Sequence, residues 1–290
     1  MRAGFRRSAL TLAPVVLALA CGQSQRAPHA AAGAAPADGG AAGQGGAGNS
    51  GTCSSVEFAD AKVDAAVRAA LVNAPARGPL SAGDVAPLVR LNVEGAADLS
   101  GIECLSGLVD LTLYSPAAAS LAPLARLPLK IFAAHDGRVT SAESLGSIVT
   151  LEQLRLAGVG ITDVSFVSEL TRLAALSVTD SALTSLDPLS ALAGLQSVVL
   201  SDTRVGDLTP LAALQDLWTL SISNTQVSEV DAIPVPSGDV TRACLYAQNL
   251  PLSPHALNEG IPALCARGWA VSWSTADGAE RGSCNGSCDK

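Results

Sequence analysis

Apolar residues recur along this chain in pairs separated by a single residue, and the pairs return at a fixed interval. Leu154 with Leu156, Leu176 with Val178, Val198 with Leu200 and Leu220 with Ile222 follow one another at steps of 22 residues. Leu91 with Val93, Leu111 with Leu113 and Phe132 with Ala134 precede them at steps of 20, 21 and 22, and Ala243 with Leu245 reads as a last, degenerate copy. Self-similarity at this period is the signature of a solenoid. Within one unit the apolar positions are Leu192, Leu195, Val198, Leu200, Val205, Leu208 and Leu211. The alternation at 198 and 200 is strand-like, and the steps of three that follow match a 3₁₀ turn. Pro123, Pro188 and Pro210 stand where such turns would begin, a place that needs no backbone N–H.

Each unit is therefore expected to be a short strand, a turn and a tight helical segment that returns to the next strand. Such a coil cannot stand alone. Ordering its backbone costs roughly 1–2 kcal/mol per residue. Its aliphatic side chains return about 1.5–3 kcal/mol each, and only when neighbouring coils bury them fully. The strands should then pair in parallel about 4.8 Å apart, placing positions 154, 176, 198 and 220 in one column. The copy over 127–150 is the least regular. An open core at either end would expose apolar surface, so both ends need caps. Phe58, Val63, Val67 and Leu71 lie near helical spacing within residues 56–72, which predicts an N-terminal helical cap. A helix from about Pro254 to Ala266 and a strand from Trp269 to Trp273 are expected to close the other end. The implied organisation is 1–20 leader, 21–52 tether, 53–88 N-terminal cap, 89–238 repeats, and 239–290 C-terminal cap with a cysteine-containing tail.

Composition sharpens this picture. Residues of the hydrophobic class make up 48% of the chain and aromatic residues 3%, so the core must be aliphatic. The net charge of −8 argues against nucleic acid, which needs a basic surface to displace counterions. At the N-terminus, Arg2, Arg6 and Arg7 precede the apolar run Ala9–Ala20, too short for an ordinary membrane span and typical of an export leader. Residues 22–51 are rich in Gly, Ala and Pro and include GGAAGQGGAGNSG. Such a segment buries too little to offset chain entropy and reads as a flexible tether.

Two resemblances follow from these motifs. LALAC, ending at Cys21, resembles the lipobox of bacterial lipoproteins, although Ala18 stands where that family usually has Leu. The resemblance implies acylation of Cys21 and anchorage to a membrane. Gly22, in place of an inner-membrane-retaining Asp, points by analogy to the outer membrane of a Gram-negative bacterium. LQSVVLSDTRVGDLTPLAAL and LWTLSISNTQVSEVDAI resemble the leucine-rich repeats of internalin-like bacterial surface proteins, over roughly residues 56–235. The implied fold is an α/β solenoid of about 22-residue coils with a parallel concave sheet, short 3₁₀ or irregular convex segments, a helical N-terminal cap and a helix–strand C-terminal cap. Where that family often carries Asn after the strand, this chain has Val159, Ser181, Thr203 and Thr225. Hydroxyls there would make a thinner ladder, and the Val159 coil should be looser.

In this fold the alternate strand residues face the concave side. Charged and aromatic members concentrate in the first half, and the second half is rich in Ser and Thr. Asp110, Tyr114, His135, Gln153 and Arg155 form the candidate binding face, with Tyr114, His135 and Arg155 as its anchors. His135 has Asp136 beside it, but no Ser or Cys can be assigned as a nucleophile, so no catalytic site is indicated. Apart from Cys21, the cysteines are Cys53, Cys104, Cys244, Cys265, Cys284 and Cys288. An even set in an exported chain predicts up to three disulfides reinforcing the two ends. Cys284 and Cys288 lack the companion ligands a zinc site needs. They are expected to pair with each other or with Cys244 or Cys265. No cofactor or metal is implied. The expected role is non-enzymatic: a concave face offered to a protein or envelope glycan, or, failing that, a passive structural envelope lipoprotein.

Overall fold

The structure, a computed structural model, describes residues 53, 55–72, 78–118, 120–139, 141–236 and 243–285. The leader, the tether, Cys21 and Cys288 lie outside the described residues. Ten strands form one sheet in chain order. They are β1 (Arg90–Glu94), β2 (Asp110–Tyr114), β3 (Ile131–His135), β4 (Gln153–Ala157), β5 (Ala175–Thr179), β6 (Ser197–Val199), β7 (Thr219–Ser221), β8 (Cys244–Leu250), β9 (Ala270–Thr275) and β10 (Arg281–Cys284). The first nine pair in parallel, and β10 turns back antiparallel on β9.

The register is the one the repeat requires. Leu154 pairs with Leu176, Leu176 with Val198 and Val198 with Leu220, and all four side chains are buried. Between strands the chain returns through 3₁₀ turns at Ile102–Cys104, Ala122–Leu124, Glu143–Ser147, Ser165–Glu169, Asp187–Ala191 and Thr209–Leu211. Pro123, Pro188 and Pro210 fall in the first turns of three of these. Several turns are opened by a short polar residue whose side chain accepts a backbone N–H two residues on: Asp98 from Ser100, Asp163 from Ser165, Ser185 from Asp187 and Asp207 from Thr209. These Asx- and Ser-type turns start their return segments without help from neighbouring coils.

The coil over 127–150 is regular. Phe132 and Ala134 point inward, and Ala133, on the opposite face, is also buried between Thr112 and Arg155 in register. A continuous apolar run hides the alternation in sequence here. The last strand needs a correction: Leu220 pairs with Leu245, so the inward pair is Leu245 with Ala247, not Ala243 with Leu245. The spacing to this coil is longer than the regular step. A two-residue shift keeps the same side chains on the same face.

The caps use different chemistry. Helix α1 (Ala61–Ala70) turns Val63 and Val67 into the first coil. Asp60 is its N-cap, accepting from Lys62 N at 2.8 Å, and its second oxygen accepts from Ala97 N at 2.6 Å. One carboxylate thus ties the helix to the turn after β1, and the bond from Ala97 is the main reason its pKa is lowered. A one-turn helix, α2 (Ala82–Val85), is held by a capping box between Ser81 and Asp84 and is too short to show a period in sequence. At the far end the predicted helix is split: a π-helical turn, Ala256–Gly260, runs into α3 (Ile261–Ala266). Trp269 is fully buried against the cap, and its indole N–H donates to Pro234 O at 2.9 Å.

Disulfides reinforce both ends. Cys53 joins Cys104, linking the N-terminal cap to the first 3₁₀ turn, and Cys265 joins Cys284, linking α3 to β10. Cys244, expected to pair, is a free thiol. Its place at the start of β8 alternates with inward-facing Leu245, which turns it to the concave side.

Candidate functional site

The open face of the sheet carries the side chains at alternate strand positions in three columns. The column nearest the strand starts holds Arg90, Asp110, Ile131 and Gln153 in its first half. The middle column holds Asn92, Thr112, Ala133 and Arg155, and the last holds Glu94, Tyr114, His135 and Ala157. The predicted patch therefore comes together on three adjacent strands. Tyr114 and His135, paired in register, stack with ring centroids 5.4 Å apart and planes 17° from parallel. Tyr114 stays exposed, while His135 and Arg155 are half-buried.

Burial is the main cause of a lowered His135 pKa; the Asp136 charge opposes it and the Arg155 charge adds to it. The imidazole is thus neutral at neutral pH, able to donate from one nitrogen and accept at the other. Arg155 forms no salt bridge with a described residue, leaving its guanidinium available beside the ring pair. Asp110 belongs to this face only in part. Its Oδ2 takes a 2.7 Å bond from Arg90 Nε, so the carboxylate is occupied within the protein.

The second half of the face is made of hydroxyls and differs from expectation in two ways. Some hydroxyls serve the sheet itself. Ser201 Oγ and Ser221 Oγ share a 2.8 Å hydrogen bond, Ser223 Oγ accepts from Gln248 N, and Ser274 Oγ accepts from Asn249 N. In addition, β8 contributes Cys244, Tyr246 and Gln248 to the same face, with Gln248 Nε2 donating to Ser272 Oγ at 2.8 Å. Sequence reasoning missed these because 244–250 was treated as a remnant. The alternation C-L-Y-A-Q was the signal available.

The ladder after the strands sits one residue earlier than the position singled out in sequence. The residues at that earlier position adopt left-handed backbone: Gly95, Ser115, Asp136, Gly158, Asp180, Asp202, Asn224 and Asn249. Gly, Asn and Asp tolerate this conformation best. Asn224 Nδ2 donates to Asp202 Oδ1 at 3.0 Å, and Asn249 Nδ2 donates to Asn224 Oδ1 at 2.7 Å. Thr203 and Thr225 instead turn inward and donate to Leu200 O and Ile222 O of their own coils, while Val159 simply joins the core. A shallow, open depression at this rim is lined by Gly137, Gly158, Gly160, Asp180, Asp202 and Arg204, among others.

Chemically, among the described residues, the concave face offers an aromatic platform, a guanidinium without a salt bridge and many neutral hydroxyls. Among the described residues His135 has no nucleophile hydrogen-bonded to it and no metal-ligating partner. The single metal-competent grouping of side chains among the described residues, Glu229, Asp231 and His255, lies at the C-terminal end. No helix among the described residues is long and apolar enough to cross a membrane.

Comparison with known proteins agrees on architecture. No protein-family model matches the chain, and no curated protein matches it in sequence. Among solved structures, it is similar to an internalin (inlF) of Listeria monocytogenes, with a TM-score of 0.62, 23% identity, and coverage of 75% of this chain and 69% of that one. It is also similar to internalin C2 of the same organism, with a TM-score of 0.63, 22% identity, and coverage of 75% and 94%. At these identities the likeness concerns the fold: a leucine-rich-repeat solenoid of the internalin type.

Proposed function

We propose that this chain is a non-enzymatic recognition scaffold of the bacterial cell envelope, exported and held through a lipid on Cys21, with its concave face presented to a protein or envelope-glycan partner. The observation that carries the reading is the stacked Tyr114–His135 pair with Arg155, which has no salt bridge among the described residues, on the next strand. Aromatic rings and guanidinium groups are the commonest anchors of protein interfaces. Here they sit on a preformed sheet, so binding spends little ordering entropy. Gln153, beside Arg155 on β4, adds a neutral hydrogen-bonding group. Nucleic acid is disfavoured by the net charge of −8.

Capture from envelope extract tests the reading. Wild-type protein should retain a specific partner, and the triple variant Tyr114→Ala, His135→Ala, Arg155→Ala should lose it. Equal capture by both would remove this patch, and no capture by either would favour a passive envelope component. Anchorage is tested separately: Cys21→Ser should move the protein from the membrane fraction to the soluble one, and continued membrane association would exclude the lipid.

A further inference from the structure

We propose that Glu229, Asp231 and His255 form a binding site for a divalent transition-metal ion of the zinc class, bridging the last repeat coil and the C-terminal cap. Glu229 and Asp231 flank Val230, which is fully buried. With Val230 turned inward, both carboxylates lie exposed on the surface of the coil. His255 opens the helical part of the cap and faces them. One ligating atom from each of the three lies within 4.8 Å of the others.

The imidazole is oriented from both sides. Its Nε2 stands 3.0 Å from Asp231 Oδ2, and its Nδ1 faces Glu259 Oε2 at 3.6 Å, one helical turn on. A metal-ligating histidine characteristically gives its other ring N–H to a carboxylate, which fixes the tautomer and strengthens the ligand. Glu259 lies at ion-pair distance from Nδ1, beyond hydrogen-bond reach, while Nε2 is turned toward Asp231.

The two segments are held together independently of these side chains. Ser253 N donates to Ser228 O at 3.0 Å. Gly260 lets the helix press against the coil: a Cβ at that position would lie 2.8 Å from Val230 Cγ2 and 3.4 Å from Asp231 Oδ1. Backbone packing thus brings the donor-bearing segments together. One imidazole nitrogen with two carboxylate oxygens suits zinc, nickel, cobalt or copper; calcium and magnesium prefer oxygen-only sets. Two carboxylates balance the charge of the ion, and the exposed setting leaves water to complete its coordination. Protons compete for Nε2. A ligating imidazole must be deprotonated, so zinc affinity should fall as the pH drops.

Zinc titration of the full chain by calorimetry tests the site. One ion should bind per chain, calcium and magnesium should not compete, and H255Q should abolish binding. E259Q, which removes a neighbouring charge and no ligand, should weaken binding less than H255Q does. C244S should leave it unchanged. All these positions except Cys244 are exposed, and far-UV circular dichroism verifies folding of each variant. Absence of zinc binding, unchanged binding in H255Q, or loss of binding in C244S would each overturn the proposal.

Discussion

Asn224 tests whether the coils are locked at the rim by the ladder described above. Its backbone has φ of 58°, its amide donates to Asp202 at 3.0 Å, and its carbonyl oxygen accepts from Asn249 at 2.7 Å. Replacement by Ala removes both bonds and places a Cβ-bearing residue of poor left-handed propensity at a left-handed position. For exposed groups, the two bonds contribute about 1 kcal/mol together, the low end of the usual range. The conformational penalty adds about 1–2 kcal/mol. Asn224→Ala should therefore destabilise the protein by roughly 2–3 kcal/mol. Asn224→Gly loses the same bonds but keeps the conformation, and it gives back part of the gain through unfolded-state entropy. It should be milder than Ala by about 0.5–1 kcal/mol. Asn224→Asp would set a carboxylate against Asp202 without a donor, and its deficit should shrink when the carboxylates are protonated. Urea unfolding followed by tryptophan fluorescence resolves these differences. A glycine variant no better than alanine would refute the conformational argument. Two variants within about 0.5 kcal/mol of wild type would show that the ladder carries no load, contrary to the sum above.

Three further outcomes follow from the same geometry. Opening Cys53–Cys104, which closes a separation of 51 residues, should cost up to about 4 kcal/mol, and opening Cys265–Cys284, with a separation of 19, up to about 3 kcal/mol; denaturant midpoints of the paired Cys→Ser variants check the order. The two histidines among the described residues should move stability with pH in opposite directions. His135 has a folded pKa below its ordinary 6.5, so its contribution is full above that value and is lost as pH falls below it. His255 has a folded pKa above 6.5, so its contribution is full below 6.5 and is lost as pH rises through the folded value. His135→Phe should flatten the acid limb and His255→Gln the neutral limb of a stability profile, and the reverse assignment would overturn both local descriptions. Trp269→Phe leaves the Pro234 carbonyl without its buried donor and should cost about 1–3 kcal/mol, read from the thermal midpoint.

The inward half of this protein was legible because packing dictates it. Leu154, Leu176, Val198 and Leu220 fill the same place in successive coils, so their spacing exposes the strand register before any coordinates are seen. The same logic located both caps through Val63 and Val67 at one end and Trp269 at the other. It failed where packing was permissive. Ala133 is small enough to be buried on the open face, which blurred the alternation in β3. The left-handed column was missed because attention went to positions 181, 203 and 225, whereas backbone conformation selects Asp180, Asp202 and Asn224 just before them. Cys244 was one of several partners the sequence left open for Cys284 and Cys288; Cys284 pairs with Cys265 instead, and Cys244 is free on the open face.

The outward half obeys a weaker rule. Any side chain that tolerates a strand fits there, so the hydroxyls from β5 to β7 satisfy folding without declaring a partner. Residues that folding does not require carry more information. Tyr114 and Arg155 contribute little to the core, yet they stand together with His135 where smaller polar residues would serve the sheet equally well. The tyrosine ring remains exposed and the guanidinium has no salt bridge among the described residues, although Arg90, three strands away, is neutralised by Asp110. A sheet selected for inertness would favour the second arrangement throughout. The contrast between a paired arginine at the edge and one beside stacked rings with no salt bridge among the described residues is the physical ground on which the proposed recognition surface is preferred to a spacer.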